Sequence, residues 1–147
     1  MPQIEKDYID TGKMKYVFMD FPLPIHRQAM KASEAALCAG DQDRFWEMHD
    51  LLFANQNGLS PEALFKHAEA LRLDTTQFKE CLDSGKQSAQ IKAAVTEGQK
   101  AGITGTPAFL LGFIEADGKV KATKKISGAL PYASFKATID ELLSLKK

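Results

Sequence analysis

The two cysteines are the first residues to consider as reactive groups in this chain. Its only cysteines, Cys38 and Cys81, lie far apart in the 147 residues, and neither belongs to a C-x-x-C pair. A cysteine becomes a nucleophile when a nearby group stabilises its thiolate, and neither cysteine has a histidine or a helix N-terminus beside it. We therefore expect no catalytic residue, and we interpret Cys38, which lies among alanines, as a free and inert core side chain.

The histidines and aromatic residues give no sign of a metal or ligand site. The three histidines are well separated: His26, His49 and His67. None has metal-ligand spacing with Cys, Asp or Glu, so no metal and no other cofactor is expected. We expect His49 to pack beside Phe45 and Trp46, and we interpret Trp46, Phe45 and Phe53 as core residues rather than as a ligand box.

The charge and hydropathy of the chain exclude several classes of partner. Nineteen basic residues balance nineteen acidic ones, and the basic residues are scattered, so neither nucleic acid nor an anionic membrane is an expected partner. No apolar run approaches the roughly 18 residues that span a bilayer. Because the first ten residues lack the features of a secretory signal, the expected location is the cytoplasm, or an extracytoplasmic compartment if a leader has been removed.

The N-terminal third should contain a short helix and a strand. Residues 2–9 carry Ile4 and Tyr8 one helical turn apart, with Pro2 in the first turn. Met14–Phe21, with the sequence MKYVFMDF, is almost continuously apolar and predicts a strand buried on both faces. Two prolines then end this strand.

Five helices and a hairpin should follow. Ser60 and Pro61 predict the start of the third of these helices, and Asp41 or Asp43 is expected to cap the second. The turn at Asp117–Gly118 predicts an antiparallel hairpin. The predicted elements are helices at 26–40, 41–54, 60–71, 75–82 and 86–101, strands at 106–114 and 119–126, and a final helix at 131–145. Lysines at 119, 121, 124 and 125 should form a solvated edge that discourages further strand pairing.

This order of elements resembles the DsbA-like thiol:disulfide oxidoreductases of the thioredoxin superfamily. The resemblance covers nearly the whole chain and is carried by the stretches YVFMDFPLPIHRQA, SEAALCAGDQDRFWEMHDLLF, FKECLDSGK, GITGTPAFLLG and ISGALPYASFKATIDELL. It implies a single α/β domain over residues 1–147, a thioredoxin-like fold with a helical insertion at about 25–102 and an N-terminally truncated core.

The resemblance also implies that the redox dithiol is missing. In the family, a strand and a C-x-x-C pair come just before the segment that resembles PQIEKDYIDTGK. Since a thiolate is the reagent in thiol–disulfide exchange, we expect a non-catalytic binding or assembly protein. The alternatives are an oxidoreductase whose C-x-x-C segment is missing from this chain, and another user of the scaffold such as a glutathione-dependent transferase or isomerase.

Two further expectations come from the family. Gly105, Thr106 and Pro107 match its cis-proline loop, which implies a cis bond before Pro107 and a place where an extended peptide or protein ligand binds. Some relatives carry a second cysteine pair in similar segments, so a structural disulfide between Cys38 and Cys81 is the alternative to free cysteines.

The missing strand would leave a gap in the middle of the family's sheet. Each buried backbone group left unpaired costs roughly 1 to 3 kcal/mol, so we expect the exposed strand edges to be closed. The two flanking strands could pair directly, or another copy could supply a strand or an edge. Our prediction is a homodimer through the exposed strand edge.

Overall fold

The computed structural model describes residues 2–145, which fold mainly into helices, with one hairpin before the last helix. The helices are α1 (Pro2–Ile4), which continues as a π-helical segment (Glu5–Ile9), α2 (Ala29–Gly40), α3 (Phe45–Ala54), α4 (Pro61–Ala70), α5 (Thr75–Ser84), α6 (Ser88–Lys100) and α7 (Tyr132–Leu145). The strands are β1 (Ala108–Ile114) and β2 (Val120–Ser127). None of the described helices is long and apolar enough to cross a membrane.

The chain divides into two compact units. One combines the N-terminal residues up to Phe18 with the residues from Ile103 onward, and the other comprises Met19–Gly102. The second unit therefore contains α2 to α6, and the first contains the hairpin with the helices at the two ends of the chain.

Side-chain caps mark the starts of two helices in the Met19–Gly102 unit, α4 and α5. Ser60 Oγ accepts a hydrogen bond from Ala63 N at 3.3 Å, and Asp74 Oδ1 accepts one from Gln77 N at 3.0 Å. Each cap satisfies a backbone N–H that the helix leaves without a partner. The helices enclose an apolar core: Ala35, Ala36, Cys38, Ala39, Met48, Leu52, Leu64, Ala68, Leu73, Phe78, Cys81 and Leu82.

The predicted cap of α3 is wrong. The residue that precedes α3 is Arg44, and no side chain caps this helix. A residue that caps a helix with its side chain typically has an extended backbone itself. Asp43 instead has a φ of +60°, and Asp41 has a helical backbone with φ −61° and ψ −12°. The Asp41 carboxylate instead contacts Cys81 and Lys86.

The hairpin of the other unit packs on the terminal helices. β1 pairs with β2 in antiparallel register, with Phe109 opposite Ile126, and the register shifts between Leu111 and Gly112. One face of the hairpin joins a buried cluster from α1, the π-helical segment and α7, where the Phe109 and Phe135 rings meet edge to face at 4.8 Å. The buried residues of this cluster are Ile4, Tyr8, Ile126, Phe135 and Ile139.

The prediction of a doubly buried strand at Met14–Phe21 is wrong. The structure assigns no strand there, and alternate side chains face outward, with Val17 62% and Met19 57% exposed. Strand residues need a neighbouring ladder of backbone hydrogen bonds, and in residues 2–145 the sheet consists of β1 and β2 alone. The apolar composition was correctly recognised, but the partner that would make it a strand is not among the described residues.

Candidate functional site

The two cysteines form a disulfide that joins α2 to α5. Cys38 and Cys81 have Cα atoms 5.9 Å apart and are separated by 43 positions in sequence. Both lie in the apolar core, with Cys38 1% and Cys81 8% exposed. The interpretation of Cys38 as a free core thiol is therefore wrong, because the fold brings the two side chains to bonding distance. Closing a loop of this length contributes about 4 kcal/mol of stability in the chain-entropy model.

A polar cluster borders the disulfide on the Cys81 side. Asp41 Oδ2 lies 3.8 Å from Cys81 Sγ and accepts hydrogen bonds from Lys86 Nζ at 2.7 Å and Gln87 Nε2 at 3.0 Å. The oxidised sulfur carries no proton, so its approach to the carboxylate is a contact and not a hydrogen bond. The cluster joins the end of α2 to the start of α6. It was not predicted, because the sequence indicates Asp41 only as a possible helix cap.

The predicted peptide-binding loop lies at the start of β1. Gly105 is half-buried, whereas Thr106 and Pro107 are exposed. The bond between Thr106 and Pro107 is cis. Pro107 O accepts a hydrogen bond from Gly128 N at 2.8 Å, which fixes the loop to the end of the hairpin. The loop and the disulfide belong to different compact units, and the binding role of the loop stays a prediction.

His49 lies among aromatic rings, as predicted, but two of these rings are not core. The His49 ring centroid is 5.3 Å from that of Trp46 and 4.6 Å from that of Phe53. Trp46 is 46% and Phe53 57% exposed, so the assignment of both to the core is wrong. A helical spacing identifies residues on one face but does not say how far from the core that face lies.

Asp20 is a titratable residue that the sequence analysis missed. Burial raises the pKa of this carboxyl, while a hydrogen bond from Ser33 and the charge of His49 oppose the rise. Its signal was present in the sequence, since Asp20 is the one acidic residue in the apolar run MKYVFMDF. No group of three or more possible ligands among residues 2–145 could hold a metal ion.

These elements define a thioredoxin-like α/β protein of the DsbA type, with helices and a small antiparallel sheet. A family model described as thioredoxin matches residues 1–141, and the chain belongs to this family. In the crystal structure of Wolbachia pipientis α-DsbA1, the similar region covers 97% of this chain and 75% of that one, with a TM-score of 0.79 and 28% identity.

Relatives in sequence are longer than this chain. Disulfide bond formation protein D of Bacillus subtilis is 29% identical over 153 residues, which cover 99% of this chain and 64% of that protein. The Na⁺/H⁺ antiporter NhaA 1 of Salinispora arenicola is 39% identical over 111 residues, which cover 75% of this chain and 17% of that protein. The chain thus spans less than two thirds of the length of these relatives.

The comparisons overturn the hypothesis of a non-catalytic binding or assembly protein. Two proteins that match over nearly all of the chain are disulfide bond formation protein D and α-DsbA1, over 99% and 97% of it. A putative protein-disulfide oxidoreductase of Rickettsia prowazekii matches over 79% of it with 28% identity. The hypothesis relied on the absence of a C-x-x-C pair from these 147 residues. The absence of this pair concerns these 147 residues alone. It does not outweigh the similarity to disulfide oxidoreductases, which extends over nearly all of them.

Proposed function

We propose that this chain is part of a protein thiol:disulfide oxidoreductase that forms disulfide bonds in other proteins. The observation that carries the proposal is its similarity, over 99% of its length, to a disulfide bond formation protein. The similarity in fold to α-DsbA1, over 97% of the chain, supports the same function. This was the alternative that the sequence left open.

The proposed reaction transfers two electrons from substrate to enzyme. A substrate thiolate attacks one sulfur of an enzyme disulfide, so that a mixed disulfide forms and the other enzyme sulfur leaves as a thiolate. A second substrate thiolate then attacks the substrate sulfur of the mixed disulfide. The substrate gains a disulfide, and the enzyme keeps two thiols.

The Cys38–Cys81 pair is poorly suited to be the enzyme disulfide in this reaction. An attacking thiolate must reach a sulfur, and the two cysteines are 1% and 8% exposed within an apolar core. These are also the only cysteines of the chain. We therefore place the reactive dithiol outside these 147 residues, as a C-x-x-C pair of the complete enzyme.

Within this chain, the loop Gly105–Thr106–Pro107 is the proposed contact for an extended peptide substrate. Two of its three residues are exposed. An extended peptide can bind to exposed backbone through hydrogen bonds. This gives the loop a role in holding substrate for the reactive pair.

Of the two compartments that the sequence left open, we propose the extracytoplasmic one. Thiol-reducing systems keep most cytosolic cysteines reduced, whereas disulfides persist outside the cytoplasm. The Cys38–Cys81 disulfide and the proposed formation of disulfides both fit an oxidising compartment.

The test is oxidative refolding of reduced ribonuclease by the protein as its gene encodes it. We expect stoichiometric loss of substrate thiols, recovery of ribonuclease activity, and the same rates in a Cys38→Ala/Cys81→Ala variant. The 147-residue chain alone should not oxidise the substrate. An inactive gene product would contradict the function, and oxidation by the 147-residue chain that disappears in the double variant would assign the chemistry to Cys38 and Cys81.

For the assembly, we propose a homodimer in which the open edge of β1 pairs with the same edge of a second copy. β1 carries no charged residue, whereas β2 carries three lysines. Charged side chains on an edge strand discourage pairing with another strand. The uncharged strand β1 is therefore the edge of the hairpin that we expect to pair.

A further inference from the structure

The carboxylate of Asp41 stands beside the more exposed sulfur of the disulfide. Its Oδ2 lies 3.8 Å from Cys81 Sγ, and its side chain is 31% exposed. Cys38 is almost fully buried, so an external thiolate that reaches this disulfide meets Cys81 first. The approach to the attackable sulfur therefore passes close to a negative charge.

This position opposes thiol–disulfide exchange at its first step. Attack on Cys81 Sγ forms a mixed disulfide there, breaks the bond to Cys38 and sends the electron pair to the Cys38 sulfur, which must then take up a proton. The incoming thiolate and the Asp41 carboxylate carry like charges a few ångströms apart and repel each other. Lys86 Nζ, 2.7 Å from the same oxygen, offsets part of this repulsion.

We propose that the Asp41 carboxylate protects the Cys38–Cys81 disulfide from thiol–disulfide exchange by electrostatic repulsion. The repulsion keeps the pair oxidised in surroundings where other thiolates and disulfides react. Its consequence for the protein is selectivity, because the α2–α5 cross-link is protected while a reactive dithiol elsewhere can exchange. The inference concerns this pair alone, so it stands or falls independently of the proposed oxidoreductase activity.

The experiment measures the rate at which the disulfide of the 147-residue chain is reduced by two thiols of different charge. Glutathione attacks as a thiolate with a net charge of −2 and cysteamine as one with a net charge of zero. Both are compared at equal thiolate concentration, and reduction is followed by mass spectrometry after alkylation. Asp41→Asn should speed reduction by glutathione about three- to tenfold, and reduction by cysteamine much less.

Two further variants distinguish an effect of charge on the reduction rate from an effect of a loosened structure. Lys86→Gln leaves the Asp41 carboxylate less neutralised and should slow reduction by glutathione, whereas a merely structural role would make both variants faster. Asp43→Asn removes the same charge two positions along the chain and should change the rate less than twofold. Equal acceleration by both thiols in Asp41→Asn, no acceleration at all, or faster reduction in Lys86→Gln would overturn the proposal.

Discussion

Individual tyrosines show how strongly the fold alters the chemistry of its side chains. Burial raises the pKa of Tyr8, and its hydrogen bond to Asp140 Oδ1 at 2.7 Å raises it further. The hydrogen bond from Tyr132 to Asp7 raises the pKa of Tyr132 to about 12, and burial raises that of Tyr16. The sequence contains three tyrosines, so all of them ionise above the ordinary value.

We therefore predict that the folded protein forms little tyrosinate near pH 10. Absorbance at 295 nm after a stopped-flow pH jump should rise mainly at higher pH, whereas the urea-unfolded chain should titrate near the ordinary value of about 10. A folded protein with a third of its absorbance change centred at pH 10 would contradict the assignment. Tyr132→Phe should remove one of the late transitions.

The same shifts predict how alkali unfolds the protein. Because the folded pKa of Tyr132 lies above its unfolded value, the free energy it contributes is complete below about pH 10 and is lost as the pH rises through about 12. The free energy of unfolding should fall across this window. Urea titrations at several pH values should show a smaller fall in Tyr132→Phe than in the unchanged protein.

At the scale of elements, the irregularity of the hairpin depends on one glycine. The register of β1 and β2 shifts at Gly112, where the two backbones approach closely. A Cβ atom at this position would lie 2.0 Å from Lys121 O and 2.7 Å from Ala122 Cα. Both contacts are to backbone, so no rotation of a side chain can relieve them.

Gly112→Ala should therefore destabilise the protein by about 1 to 3 kcal/mol, as overpacking of a well-packed site does. Gly105→Ala is the matched control in the same compact unit, because its Cβ would meet no atom within 4 Å. We expect the control to change the free energy of unfolding by less than about 0.5 kcal/mol. Urea denaturation measures both, and equal midpoints for the two variants would show that the hairpin tolerates a side chain at Gly112.

The elements that local sequence determines were predicted well. Ser60 and Pro61 placed the start of α4 correctly, and Asp117–Gly118 placed the hairpin. Features that depend on distant residues were not predictable in the same way. The segment Met14–Phe21 has the composition of a strand, but a strand also requires a neighbour, and composition does not reveal whether the neighbour is present.

The candidate site shows the same limit. Cysteine spacing was compatible both with free thiols and with a disulfide, because only the packing of α2 against α5 decides between them. Asp41 and Cys81 are 40 positions apart in sequence, and no local sequence pattern predicts their contact. Exposure was equally hard to infer, since Trp46 and Phe53 have the helical spacing of core residues but lie at the surface.

The unpaired edge of β1 bears on how the whole molecule associates. In residues 2–145, β1 pairs with β2 on one side and has no ladder partner on the other. Its sequence AFLLGFI has no charge to discourage association, and Leu110 is 43% exposed. Edges of this kind associate with other strands unless something covers or charges them.

We accordingly predict that the 147-residue chain is dimeric and that a charge on β1 makes it monomeric. Leu110→Glu is the informative change, because Leu110 is 43% exposed on β1 and a carboxylate there adds a charge to the open edge. Val120→Glu, at a position 53% exposed on β2, is the matched control and should stay dimeric. Light scattering across a wide range of concentrations gives the mass. The mass of a single chain throughout that range in the unchanged protein would rule out the dimer, and a dimer that survives Leu110→Glu would place its interface away from β1.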